Sequence, residues 1–397
     1  MYKKIFLFSL LFFVATVPSQ SEPLWGFFGH KHIGRLAVFT LPTEMIGFYK
    51  ENIEWITEHS PDPDRRRYAL KVEAPRHYID LDHWGKPPFP ELTRDWLTDA
   101  MRHTDLSILT DEGDTISLIQ ASEIDWTAPK VQVGRYMVKQ ERYAAFFRKN
   151  LLNRSNYVCD SLYSLRKNAD FPCGQLLVDD HLFADGLNPY YTEHLMKSLT
   201  RAFKKGDVSH ILHLSADIGH YISDGHVPLH TTANYNGQLT GQVGIHGFWE
   251  SRIPELFADE EYDYFVGKAD YVLKKREWIW DYVLKSHSYV DDVLIIEKKL
   301  RQTYPADEQM CFEQHNAIML KTQCEDFAKT YQDAMNGMVE DRFRKAIHSV
   351  GSAWYTAWVD GGRPDLNLLN TDAVLAEKDT LQKYYDGGKI HGRSHSD

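Results

Sequence analysis

The sequence lacks an apolar run long enough to cross a bilayer. The apolar run at residues 5–17 has 13 residues, whereas a membrane-spanning helix needs about 20. The run follows Lys3 and Lys4 and precedes small, polar residues, which is typical of an export signal. We therefore predict a signal peptide over residues 1–21 and a secreted or periplasmic protein without a stable membrane span.

The sequence also lacks a long basic run, and its formal net charge at pH 7 is −11. Proteins that bind duplex DNA tightly neutralise its phosphates with clustered lysines and arginines. This charge balance therefore argues against tight binding to duplex DNA. A small or single-stranded phosphodiester held mainly by metal ions stays compatible with it.

Cysteine is scarce, and its positions are informative. The chain has four cysteines, which form two local pairs at separations of 14 and 13 residues: Cys159 with Cys173, and Cys311 with Cys324. In an oxidising compartment two disulfides are the natural interpretation. Four free buried thiols remain an alternative. A zinc-thiolate site is disfavoured because neither pair has the close Cys-x-x-Cys spacing.

Strand-type alternation is scarce, whereas helical periodicity of apolar residues is plain. It predicts helices over 33–52, 143–152, 192–205, 208–223, 264–286 and 314–358. Gly206 and Asp207 predict a helix end followed by a new N-cap. Residues 81–139 have few periodic apolar positions and predict a loop-rich insertion. Residues 367–397 are polar and predict a flexible tail.

Imidazoles and carboxylates are concentrated between residues 220 and 250. His220 and Asp224 are four residues apart on a predicted helix, so their side chains stack on one face. His230 follows Pro228, which ends that helix, and His246 and Glu250 repeat the four-residue spacing. A single histidine of this kind is more often an ordinary core or surface residue than a metal ligand. Together, however, these imidazole nitrogens and carboxylate oxygens suit a zinc ion.

Several polar motifs occur in an order that resembles a known superfamily. They are WGFFGH at 25–30, DPDR at 62–65, APRHYID at 74–80, HYISD at 220–224, VPLH at 227–230 and HGFWE at 246–250. This order resembles the superfamily that joins zinc-dependent phospholipase C to the single-strand-specific zinc nucleases. The resemblance implies an all-α, multi-helix bundle, here a single domain over residues 22–366, that holds up to three zinc ions.

The resemblance also implies a set of ligands for each ion. The first ion would be held by two histidines and two aspartates: Asp62, His77, His220 and Asp224. The second would be held by His230, His246 and Glu250. The third would be held by His30, by Asp224 as a shared carboxylate, and by Trp25 if Trp25 begins the mature chain.

The catalytic residues that the resemblance implies are Asp62, Arg65 and Asp224. Asp62 would orient the attacking water, and Arg65 would bind a phosphate of the substrate. Asp64 and Arg67 have the same spacing, so the register of this motif stays open, with Asp62 preferred.

The implied function is hydrolysis of a phosphodiester by a zinc-activated water. The opening WGFFGH resembles the nuclease branch, whereas Glu250 resembles the phospholipase branch. The substrate is therefore a single-stranded nucleic acid or nucleotide, or a phospholipid head group. A nuclease needs an aromatic platform for bases, for which the candidates are Trp84, Tyr235, Phe248 and Trp249. The alternative function is an exported zinc-binding or zinc-storage protein without turnover.

Overall fold

A computed structural model describes residues 26–67, 69–152, 157–167, 169–315 and 318–369. The predicted signal peptide, Trp25 and residues 370–397 of the predicted tail lie outside these described residues. The predictions made for them therefore stay predictions.

Helices make up most of the described chain. They are, in chain order, α1 Gly26–Ala37, α2 Thr43–Glu51, α3 Ile53–His59, α4 Asp62–Arg66, α5 Trp96–Arg102, α6 Gln140–Leu152, α7 Cys159–Tyr163, α8 His181–Ala184, α9 Asn188–Lys205, α10 Val208–His226, α11 Ile245–Gly247, α12 Ile253–Glu261, α13 Lys275–His287, α14 Val290–Thr303, α15 Glu325–Ala334 and α16 Met338–Asp360. A π-helical turn, Phe248–Arg252, joins α11 to α12. Short 3-10 turns include Ala74–Arg76, Leu81–Trp84 and Pro228–Thr231.

Three small antiparallel sheets accompany the helices. Their strands are β1 Thr104–Thr110, β2 Thr115–Ile119, β3 Lys130–Val133, β4 Tyr136–Lys139, β5 Gly174–Asp180, β6 Met310–His315 and β7 Ile318–Gln323. The order in the largest sheet is β2-β1-β5, and β3–β4 and β6–β7 are hairpins. The predicted all-α bundle is correct only in part, because the chain is mostly helical but also contains these sheets.

The predicted loop-rich stretch 81–139 contains the first four strands. In β1, Leu106 and Ile108 are buried and pair with Val178 and Leu176 of β5. This alternation covers only a few residues, and one of the two partner strands, β5, follows about 70 residues later along the chain. A short period-two pattern of that kind is hard to distinguish from loop sequence.

The predicted helices over 264–286 and 314–358 begin later than expected. The backbone groups at the start of each form hydrogen bonds with other elements instead of continuing a helix. Residues 314–315 and 318–323 belong to strands β6 and β7 rather than to a helix. The backbone N–H groups of Asp270 and Val272 donate to Ser352 and Thr356 of α16, so this segment crosses that helix in non-helical form. The predicted break at 206–207 is confirmed: Gly206 is left-handed, and the Asp207 side chain accepts from the backbone N–H of His210.

Helix α10 runs through the centre of the main hydrophobic core and packs against α1, α3, α9, α13 and α16. Around Ser215, the backbone carbonyl accepts from the buried indole of Trp354, and the hydroxyl bonds Tyr49 at 2.9 Å. Buried hydrogen bonds of this kind fix a side chain among apolar neighbours. They hold α10 in place, and its C-terminal half carries His220 and Asp224.

Both predicted disulfides are present. Cys159 bonds Cys173 across the α7–β5 connection, and Cys311 bonds Cys324 at the base of the β6–β7 hairpin. Disulfides of this kind persist in oxidising compartments, in agreement with the predicted export. Within the described ranges, no helix is both long enough and apolar enough to cross a membrane.

Candidate metal centre

The last turns of α10 bring His220 and Asp224 into the interior. Both residues are at most 1% exposed, and the His220 Nε2 atom lies 3.4 Å from the Asp224 carboxylate. The helix ends at His226, and Pro228 begins the next 3-10 turn because proline cannot donate the backbone hydrogen bond that would continue α10. This turn carries His230 back toward the same carboxylate.

His77 reaches this cluster from the 3-10 turn Ala74–Arg76. Its Nδ1 atom lies 3.0 Å from Asp224 and 3.1 Å from the Nε2 atom of His220. The turn is held in place by Ile79, whose backbone N–H donates to the carbonyl oxygen of His230 at 2.9 Å.

Asp64, rather than Asp62, faces these histidines. Its carboxylate lies 3.7 Å from the ring nitrogens of both His77 and His220. The Asp62 carboxylate instead accepts from His59 at 2.6 Å and from Arg65 at 2.8 Å. Residues two apart on a helix point about 200° apart, so α4 can direct only one of these aspartates toward His77 and His220.

A second group of ligands lies beside the first. The Glu250 carboxylate lies 2.6 Å from His246 and 3.2 Å from His230. His246 and Glu250 are on successive turns of the helical segment formed by α11 and the π-helical turn. The Asn236 side chain accepts from the backbone N–H of Gly244 at 2.9 Å, which fixes the entry to this segment.

His30 lies between the two groups. Its Nε2 atom is 3.6 Å from Asp224, 3.8 Å from Glu250 and 3.9 Å from Asp64. Its ring stacks on that of His220 at 3.8 Å between centroids. Nine of the ten predicted site residues are described. Seven of them meet here, whereas Asp62 and Arg65 lie apart and contact each other.

Backbone carbonyls orient three of the histidines. The Nδ1–H of His220 donates to Ser60 at 2.9 Å, that of His230 to His77 at 2.7 Å, and that of His246 to Tyr235 at 3.2 Å. Each bond directs the Nε2 atom toward the neighbouring carboxylates. Histidines that bind metals in proteins are usually held in this way, so these residues fit a metal ion.

The remaining donor atoms also fit a metal. His30 Nδ1 is buried without a hydrogen-bond partner among the described residues. Three groups of side chains have ligand atoms within 4.8 Å of one another: His30, His220 and Asp224; Asp64, His77 and His220; and His230, His246 and Glu250. Nitrogen and carboxylate donors together are typical of zinc sites.

Burial and mutual charge shift the protonation of this cluster. Burial raises the pKa of the Asp224 carboxyl well above its usual range and lowers that of His220 well below its own. Burial opposes the charged form of His230, but the carboxylates of Asp224 and Glu250 outweigh it and raise the pKa of this imidazole to about 9. Without a cation the cluster retains protons, and a divalent cation would displace them.

A small cavity opens beside the ligands of both groups. It is lined by Arg67, Ala74, His77, Tyr78, Leu229, His230, Tyr235 and His246. Arg67 lies 3.3 Å from Asp64, whereas Arg65 packs over Phe27. Of the predicted aromatic candidates, Tyr235 lines this cavity, and Trp84, Phe248 and Trp249 are buried in hydrophobic cores.

A buried ionic network that was not evident in the sequence lies behind His220. Arg66 donates to both carboxylate oxygens of Asp217 at 3.0 and 2.9 Å. Glu73 is fully buried; it accepts from the Tyr221 hydroxyl and forms an ion pair with Arg76 at 2.7 Å. Residues 65–67 are three consecutive arginines, so the sequence pattern does not show which of them faces this network.

Comparisons of the chain with protein-family models, with curated proteins and with solved structures found no match. The likeness to the phospholipase C and zinc-nuclease superfamily therefore stays a prediction.

Proposed function

We propose that this protein is a zinc-dependent phosphodiester hydrolase. The observation that carries the proposal is the convergence of four buried histidines, His77, His220, His230 and His246, on the carboxylates of Asp64, Asp224 and Glu250. These residues come from four separate segments of the chain, so their convergence is a product of the tertiary fold. Buried, ionisable groups of this density are most common at functional sites.

Zinc ions would be held in three sets of side chains. Asp64, His77, His220 and Asp224 would hold the first ion, and His230, His246 and Glu250 the second. His30 and Asp224 would contribute to a third, together with Trp25 if the mature chain begins there. When bound, zinc lowers the pKa of water toward neutrality and offsets the negative charge of a phosphate.

The arginine beside the ligands favours turnover over storage. A storage site needs no cationic side chain, but here Arg67 lines the same small cavity as His77, His230 and His246. The guanidinium of Arg67 can bind two oxygens of a phosphate at once. Arg67 therefore takes the role that the sequence assigned to Arg65.

The carboxylates have separate roles in this proposal. Asp64 accepts a hydrogen bond from the attacking water and orients it toward phosphorus, the role first assigned to Asp62. Asp224 lies within 4 Å of His30, His77, His220 and His230, so its two oxygens serve more than one set of ligands. Hydrolysis proceeds in line, without a covalent intermediate on the protein.

A substrate panel tests the proposal. The purified protein is assayed with single-stranded RNA and DNA, 3′-nucleotides, phosphatidylcholine and an aryl phosphodiester, each with and without chelator. We expect turnover of a nucleic acid or of a phospholipid that chelator abolishes and added zinc restores. Stoichiometric zinc without turnover of any of these would overturn the hydrolase proposal and favour the storage alternative.

Two arginine variants provide a matched control. Arg67→Ala is expected to raise KM for a phosphodiester at least tenfold, because the phosphate loses a charged donor. Arg65→Ala removes the same side chain from a position that contacts Asp62 and Phe27, and its KM should stay within twofold of the wild type. Equal effects of both variants would contradict the assignment of Arg67.

A further inference from the structure

A fourth group of ligand atoms lies outside the metal centre. Asp80, His83 and Asp185 each offer an atom within 4.8 Å of the others. The Nδ1 atom of His83 is 2.7 Å from the Asp185 carboxylate. None of these residues belongs to the ligand sets described above.

The three residues join the two ends of one long segment. Asp80 precedes the 3-10 turn Leu81–Trp84 and His83 lies within it, before the β2-β1-β5 sheet. Asp185 follows α8, after that sheet. The backbone N–H of Asp80 donates to the carbonyl oxygen of Asp185 at 2.7 Å, and that of His83 donates to Asp80 at 3.1 Å. These backbone hydrogen bonds hold the two ends of the segment next to each other.

The charges of this group favour a cation. Asp80 is 1% exposed, and its carboxylate lies within 4.8 Å of that of Asp185, so the two negative charges repel each other. Among the described residues, Asp185 forms an ion pair with His83 and with no lysine or arginine. A third carboxylate, that of Asp82, is adjacent and accepts from Thr232 and from the backbone N–H of Ala233.

The donor types point to a particular class of cation. Magnesium and calcium prefer sites made only of oxygen ligands, whereas one imidazole with two carboxylates suits zinc. His83 is half exposed, so water can complete the coordination.

We propose that Asp80, His83 and Asp185 form a separate, structural zinc site. The ion would hold the start of the segment between residues 80 and 185 to its end, and would steady the turn that follows His77. The site does not depend on the proposed hydrolase activity.

Zinc stoichiometry tests the site. The full-length mature protein is stripped with chelator and refilled with Zn²⁺, and bound zinc is counted by mass spectrometry and calorimetry. We expect His83→Gln and Asp185→Asn each to bind one zinc fewer than the wild type. His181→Gln is the matched control, because His181 is an equally exposed imidazole paired with one aspartate, Asp105, and it should bind as many ions as the wild type.

Thermal unfolding gives an independent readout. An ion that binds only the folded state raises its melting temperature, so zinc should stabilise the wild type more than His83→Gln. The same loss of one ion is expected when His83→Gln is combined with Asp224→Asn, which separates this site from the metal centre. Equal zinc content and equal stabilisation in folded wild-type, His83→Gln and Asp185→Asn proteins would show an ordinary surface ion pair and overturn the proposal.

Discussion

The Nε2 atom of His220 lies 3.1 Å from the Nδ1 atom of His77, although 143 residues separate them in the chain. The Nδ1–H of His220 donates to Ser60, so its Nε2 atom presents a lone pair toward His77 and Asp224. Burial keeps the pKa of His220 well below its usual range, and the imidazole is therefore neutral. A neutral imidazole whose lone pair faces neighbouring carboxylates can bind a metal ion without first losing a proton.

Asp64→Asn should remove zinc from the first set of ligands and reduce hydrolysis about 100-fold or more, because the carboxylate faces His77 and His220. Asp62→Asn should reduce activity less than about tenfold, since the Asp62 carboxylate contacts His59 and Arg65 rather than the clustered histidines. Zinc content and kcat of the two variants are measured in parallel. A larger loss in Asp62→Asn would restore the register first inferred from the sequence.

Asp224→Asn should abolish hydrolysis and lower zinc content by more than one ion. Its carboxylate is shared by histidines from both groups, and an amide supplies no negative charge to either. The matched change is Asp217→Asn on the same helix, which alters a carboxylate that binds Arg66 instead. Full zinc content in Asp224→Asn would contradict a shared ligand.

Arg66→Ala should destabilise the fold by about 3 kcal/mol, because it leaves the carboxylate of Asp217 without its cation and leaves buried Glu73 with Arg76 alone. Arg35→Ala breaks an exposed pair with Glu54 and should cost less than about 1 kcal/mol. Urea unfolding of the two variants checks the difference. Similar losses in the free energy of unfolding would mean that the ionic network behind His220 stabilises the fold no more than an exposed ion pair does.

Glu255 should make the protein less stable at alkaline pH. Burial raises the pKa of its carboxyl to about 8, against a partial opposing effect of Arg252. Between about pH 4.5 and pH 8 the unfolded chain releases this proton and the folded chain retains it, so stability falls as pH rises. Because Glu255 is partly exposed, the slope is below about 1.4 kcal/mol per pH unit.

Glu255→Gln tests this relationship by removing the titrating group. The free energy of unfolding is measured across pH 5–9 for both proteins. The variant should gain stability relative to the wild type as pH rises through this range. A constant difference between the two proteins would show that Glu255 titrates normally.

The sequence predicted the helical break at 206–207, both disulfides and the ligand spacing on α10, because each depends on residues close together in the chain. It did not predict the strands around Leu106 and Met310, whose partners are distant or whose alternation is short. The choice between Asp62 and Asp64 depends on the rotation of α4 about its axis. That rotation is set by tertiary contacts such as Arg66 with Asp217, which no local pattern reports.

We expect metal ions to occupy the space between these imidazoles and carboxylates. The most direct measurement is X-ray diffraction from crystals of the zinc-loaded protein on both sides of the zinc absorption edge. We predict anomalous peaks within bonding distance of Asp64, His77 and His220, and of His230, His246 and Glu250. A fully refilled protein with no anomalous peak between these side chains would contradict the account.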